Sequence, residues 1–129
     1  MEVRNLTRST LVAERVAVAA TFWARFMGLM GRQALAPGEG LWLQGENNIH
    51  MLFMRFPIDC AFLGPQGHDG ARAVVAVRRR LPPWRGVVWY VPGATGVVEL
   101  PAGALDRSLT QVGDRLMLDR VPLVGHDGR

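Results

Sequence analysis

The sequence predicts a mostly β, α+β fold: a small barrel-like or sandwich β domain carrying one short packed helix. Three observations predict it. Short runs rich in β-branched and aromatic residues recur along most of the chain. Turn chemistry such as GPQGHDG, PGATG and PAGAL separates them. One segment departs from this pattern and carries apolar residues at helical spacing. Many short strands with one helix suit a compact barrel or sandwich. The 129 residues contain no repeat, low-complexity tract or linker-like stretch, so residues 1–129 are expected to form one domain. That length buries a core without metals or disulfides.

The elements follow in order. EVRNLTRSTLVAERVAVA reads as two strands, with RNLTRST supplying the first strand and its turn. Val12, Glu14, Val16 and Val18 then share one face, and Ala13, Arg15 and Ala17 the other. From Thr21 to Arg32 the apolar positions are 22, 23, 26, 27, 29 and 30, which predicts the helix. Thr21 suits its N-cap and Gly31 its stop. Arg25 and Arg32 share a face about two turns apart. Gly28 costs roughly 1 kcal/mol there relative to alanine, and permits close packing. After APGEG come the strand-like runs LWLQ, IHMLFM, PIDCAFL, ARAVVAVRR, VVWYV, VVELP and RLMLDRV. ALDRSLTQVGD is expected to hold one short helical turn before VGD reverses the chain.

Composition narrows the function. The net charge is +4, and all fifteen basic residues are arginine. Arginine favours bidentate contacts to carboxylates and phosphates, and a basic balance is compatible with anionic partners. Cys60 is the one cysteine, which excludes a disulfide-stapled scaffold. Charged residues interrupt the chain before residue 16, and the apolar run Val16–Ala24 ends at Arg25. No stretch reaches the 18 apolar residues of a spanning helix. The expectation is a cytoplasmic protein with neither export signal nor membrane span.

The densest apolar segment, NNIHMLFMRFPIDCAFLG, carries three ionisable residues: His50, Arg55 and Asp59. Burying such groups is costly unless they are paired or used. Pro57 cannot donate to a ladder, so the segment is expected to split into two strands joined near Arg55 and Phe56. Two readings stay open. In the structural one, Asp59 accepts backbone N–H groups at a turn, Arg55 pairs with it, and His50 is a hydrogen-bonded strand-end residue. In the functional one, all three rim a pocket, where histidine serves as acid or base near neutral pH.

RFMGLMGRQALAPGEGLWL, IHMLFMRFPIDCAFL, LPPWR, VVELPAG and VGDRLML together resemble the family called domain of unknown function 192 (DUF192), over about Val12 to Leu118. The order and spacing of the five blocks carry the resemblance. The matching positions are Arg25, Gly28, Leu29, Met30 and Arg32, then His50, Met51, Pro57, Asp59 and Phe62. Trp84, Arg85, Glu99, Leu100, Ala102, Gly103, Gly113 and Asp114 complete the set. The chain resembles the branch with a central IHxFFMRFPID-like motif and departs from the branch reading WMKNT. The resemblance implies a small, mostly β barrel-like domain with a short helix. It implies no activity, because the family has none to carry over.

The function expected is therefore a small non-enzymatic accessory module that binds a small ligand or a protein partner. Arg25, Arg32, His50, Arg55, Asp59, Trp84 and Arg85 are the candidate lining of its groove. The alternative is a hydrolase-like enzyme with His50 as base, Asp59 as orienter, and Arg55 or Arg85 stabilising negative charge. Against it, the only serines are Ser9 and Ser108, and no GxSxG or phosphate loop is present. No cofactor is expected. No metal is expected either, because His50, His68 and His126 are scattered and show no ligand spacing. VRRRLPPWR offers charge and a stacking platform for nucleic acid. A strand places Arg78 and Arg80 on one face and Arg79 on the other, which disfavours a single patch. Glu99 interrupts an apolar strand and is expected to pair with Arg25 or Arg32. Gly103 and Gly113 are expected to meet turn geometry, and Asp114 to close a turn through its side chain.

Overall fold

Ile58–Gln66 is the strand on which the architecture turns, because its first seven residues are all buried. Only a strand covered on both faces reads that way. A computed structural model of the chain describes residues 1–19, 35–45, 49–50, 56–83, 87–88 and 90–119. Within them lie strands β1 (Glu2–Asn5), β2 (Thr10–Ala13), β3 (Arg15–Ala19), β4 (Glu39–Gln44) and β5 (Ile49–His50). They are followed by β6 (Ile58–Gln66), β7 (Arg72–Leu81), β8 (Val87–Val88) and β9 (Gly96–Pro101). Helix α1 (Ala104–Arg107) and β10 (Arg115–Asp119) complete the set. The chain is thus mostly β with a short helix, as its sequence predicts. The helix expected over Thr21–Arg32 lies outside the described residues. Among the described residues no helix is long and apolar enough to cross a membrane.

Eight strands form one sheet in the order β2-β1-β10-β7-β6-β9-β4-β3, and β5 pairs with β8 separately. All neighbours in the large sheet are antiparallel except β3 and β4. A parallel pair cannot be joined by a tight hairpin, and β3 and β4 are accordingly well separated in sequence. The two edge strands, β2 and β3, are separated in sequence by Glu14 alone. The sheet must therefore curl to bring its edges together. Met1 and Val16 exchange backbone hydrogen bonds across that seam, Val16 N–H to Met1 O at 2.8 Å and Met1 N to Val16 O at 3.1 Å. The sheet is not closed, since β2 and β3 do not pair.

The start of the chain departs from the expected two strands. Residues 10–19 form two strands, not one, because the chain bends at Glu14. The N–H groups of Glu14 and Arg15 both bond to Gly38 O, at 3.0 and 2.9 Å, and this turns the chain from β1 towards β4. Of the face expected to run from Val12 through Val18, Val12 and Val16 both enter one core despite the bend, and the face ends beyond Val16. Val16 is buried, whereas Val18 is 58% exposed.

The period of two then sorts the interior into two cores. Ile58, Cys60 and Phe62 face one cluster with Leu35, Phe56, Leu81, Val91 and Val97. Ala61 and Leu63 face the other with Val98, Leu100, Trp42, Leu105 and Leu116. Trp42 lies over Gly96, and the Arg72 guanidinium stands 5.1 Å from the Trp42 ring centroid. Arg72 also donates to Gly64 O at 3.1 Å and to Thr95 Oγ1 at 3.2 Å.

A buried polar cluster ties the β1–β2 turn to the loop before β10. Asn5 Nδ2 donates to Thr110 Oγ1 at 3.1 Å and to Asp114 Oδ2 at 3.0 Å. The same Asp114 oxygen accepts from Arg8 Nε and from the Gln111 N–H, each at 3.0 Å. Asp114 thus closes its own turn, with Gly113 at φ 94° inside it. Burial raises the Asp114 pKa, but hydrogen bonds from Arg8, Asn5 and the Gln111 N–H outweigh it and hold the carboxyl below the ordinary 3.8. A depressed carboxyl contributes stability that is complete above the unfolded-state value and is lost as pH falls through the folded-state value. Acid unfolding below about pH 4 is therefore expected to be shallower in Asp114→Asn than in the wild type. Denaturant midpoints between pH 2 and 7 would check this. Parallel acid limbs in the two proteins would refute it.

Candidate functional site

Asp59 belongs to the cluster of ionisable residues in the apolar segment, and the structure accounts for its burial. It is 0% exposed. Its Oδ1 accepts the Arg80 N–H at 2.8 Å. Its Oδ2 accepts the N–H groups of Gly103 and Leu105, at 3.1 and 3.0 Å. Strand parity sends Asp59 to the face of Ala61 and Leu63, where α1 packs. The α1 N-cap, Gly103, has φ 96° and offers no side chain. Asp59, remote in sequence, supplies the oxygen that a capping residue would otherwise provide.

The same carboxylate fixes a β-bulge. Ile58 pairs with Leu81 and Cys60 with Arg78, so Asp59 alone stands opposite Arg79 and Arg80. Arg80 takes φ 51°, which breaks the strand's alternation. Arg79 and Arg80 consequently reach the same carboxylate: Arg79 Nε lies 2.8 Å and Arg80 Nη1 3.5 Å from Asp106. This corrects the expectation that the two arginines point to opposite faces. Arg79 also donates to Thr110 O at 2.8 Å.

Beside this corner opens a cleft of about 390 Å³. Its walls are Leu35 and Pro37 ahead of β4, Phe56 and Pro57 ahead of β6, Pro101 and Ala102 at the end of β9, and Arg107 of α1. The elements explain the grouping. Ile58 pairs with Pro101, so the residues preceding β6 and ending β9 are neighbours. Asp59 then holds Gly103 and Leu105 against that corner, which sets Arg107 at the rim. Six of the seven lining residues are apolar. Among the described residues Arg107 has no carboxylate partner.

Of the candidate residues read from sequence, Asp59 is described in full. Arg25, Arg32, Arg55, Trp84 and Arg85 lie outside the described residues. The backbone of His50 pairs with Val87, and its side chain lies outside them too. Sequence reasoning marked Pro57 as a bend but missed Pro101, Ala102 and Arg107 as cleft residues. The PAG turn signal after β9 was the available clue. Among the described residues no group of three His, Cys, Asp or Glu side chains is placed to hold a metal.

Glu99 is 0% exposed and lies opposite Cys60 and Leu41, on the face of the Phe56 core. It is engaged in a polar interaction. Arg25 and Arg32, the partners expected for it, are outside the described residues. Exchanging a buried carboxylate for an amide puts an N–H₂ group in place of one acceptor oxygen. Glu99→Gln is expected to lower stability by about 2 kcal/mol, measured by urea unfolding at pH 7. An unchanged midpoint would count against a charged interaction there.

Residues 3–118 match the model of the family DUF192, described as "Uncharacterized ACR". The chain is 36% identical over 118 residues to a UPF0127 protein of Thermococcus sibiricus, covering 87% of this chain and 71% of the relative. It is 34% identical over 122 residues to a UPF0127 protein of Pyrococcus furiosus, covering 91% and 97%. Two crystal structures share the fold. One, from Novosphingobium aromaticivorans, is of a protein of unknown function, with TM-score 0.73, 20% identity, and 91% and 82% of the two chains covered. The other, from Sinorhizobium meliloti, is of a protein described as a candidate transcription regulator, with TM-score 0.67, 22% identity, and 89% and 88% covered.

Proposed function

The chain belongs to the DUF192 (UPF0127) family, and from that premise we propose that it is a small non-enzymatic accessory domain that binds a small ligand in the Phe56–Pro101 cleft. The observation that carries this reading is the cleft itself: about 390 Å³, walled by apolar side chains, with one cation at its rim. Ligand sites have that size and character. Acid–base catalysis is less well supported, because both Asp59 oxygens are committed to backbone N–H groups. Nucleic-acid binding is less well supported, because Arg79 and Arg80 are drawn to Asp106. Arg25, Arg32, His50, Arg55, Trp84 and Arg85 belong to the proposal as candidate contacts on the strength of the sequence pattern. The proposal takes residues 1–129 as one domain acting in the cytoplasm.

The test is thermal unfolding against a panel of metals, nucleotides, sugars, lipids and short organic acids. A ligand at a hundredfold its dissociation constant adds about 2.7 kcal/mol, which raises the midpoint by several degrees in a domain of this size. The expected result is a stabilising compound whose effect disappears in Ala102→Trp, a variant that fills the cleft. A stabilising compound that acts equally on Ala102→Trp, with its ligand-free unfolding unchanged, would place the site elsewhere and sink the proposal.

A further inference from the structure

We infer that the ligand is a small apolar monocarboxylic acid, its carboxylate held by Arg107 and its body seated against Phe56, Pro57 and Pro101. The inference rests on the binding reading of that cleft and adds the chemistry of the occupant. Charge selects the anion. Arg107 is an exposed cation with no ion pair among the described residues. A Cβ built on Gly103 would lie 3.3 Å from Arg107 Nη1 and 3.7 Å from Arg80 Nη2, so two guanidinium groups converge on this turn. Arg79 and Arg80 share the single carboxylate of Asp106. The corner therefore carries three arginines against two carboxylates, Asp106 and the buried Asp59, whose oxygens are taken up by backbone N–H groups, and an incoming anion offsets the remaining positive charge. Guanidinium matches a carboxylate with two parallel hydrogen bonds.

The walls select the remainder of the ligand. Pro37, Pro57 and Pro101 have no N–H to donate, so this cleft gives an extended peptide backbone little to bond. Recognition of a peptide main chain depends on such donors. An apolar body needs none. The volume of about 390 Å³ lies near the lower end for ligand pockets, which suits a molecule with one charged head.

The test is titration calorimetry of the full chain with octanoate and 4-phenylbutyrate, their primary amides, and an acetylated apolar tripeptide with a free C-terminus. The expected result is saturable binding of at least one acid, weakened at least tenfold in its amide and at least tenfold in Arg107→Gln. Arg107 is exposed and unpaired, so ligand-free Arg107→Gln should unfold at the wild-type midpoint. Binding of acid and amide alike, unaffected by Arg107→Gln but lost in Ala102→Trp, would overturn the carboxylate inference and leave the cleft reading standing. Tighter binding of the tripeptide than of either acid would overturn the assignment to a free small acid. Absence of binding by every acid would overturn the inference, and the wider panel would then judge the cleft reading by itself.

Discussion

Replacing Asp59 by alanine is expected to lower the unfolding free energy by about 4 kcal/mol, because three backbone donors lose their acceptor together. The Gly103 and Leu105 N–H groups are buried and accept no substitute from water. The Arg80 N–H sits in a bulge whose left-handed turn leaves it facing the same carboxylate. Each stranded donor costs about 1–3 kcal/mol, and the helix start and the bulge loosen together. Asp59→Asn retains one acceptor oxygen but places an amide N–H₂ against another donor, so about half the loss is expected. Urea unfolding of both variants checks the order. A loss below about 1 kcal/mol in Asp59→Ala would mean that the corner reorganises freely and that Asp59 does not hold it.

Gly96→Ala is expected to cost about 3 kcal/mol, the upper end for overpacking. A Cβ at Gly96 would lie 2.1 Å from Trp42 Cη2 and 2.7 Å from Cζ2 and Cζ3. The ring has little freedom to retreat, because Trp42 is buried within the Leu63–Leu100 core and Arg72 stacks on it. Gly64 is the control. Its Cβ would meet nothing closer than 3.5 Å, so Gly64→Ala should change stability little. The double variant Gly96→Ala with Trp42→Leu should recover part of the loss beyond additivity. Additive losses would show that the ring is not what excludes the methyl group.

The sequence carried the class of the fold because strand signals are local. LWLQ, PIDCAFL, ARAVVAVRR, VVELP and RLMLDRV each lie within an observed strand or overlap most of one. ALDR forms the short helical turn read from it. Pro57 stands just before β6, where its missing N–H costs no ladder bond. The divided first segment was not legible, because alternation continues through Glu14 while the bend depends on Gly38 O, 24 residues away. The direction of Arg79 and Arg80 was hidden for a similar reason. Alternation holds only in regular strands, and the bulge that breaks it is set by Asp59 on a neighbouring strand.

The candidate site shows the same division. Composition and spacing drew attention to Asp59 and Glu99, since a carboxylate in an apolar strand must be paired or hydrogen-bonded. Both are completely buried. Neither spacing nor composition could reveal that Asp59 bonds to residues 44 and 46 positions away. The cleft was further from reach. Its walls come from four places in the chain, and prolines and an alanine carry no chemical signature of a site. Sequence by itself determined the strand-rich class, the turns and the identity of the carboxylates that needed partners, because these follow from backbone preference and solvation residue by residue. Tertiary structure alone decided the curl of the sheet, the partners of Asp59 and the cleft beside Arg107, because each depends on register between strands distant in sequence.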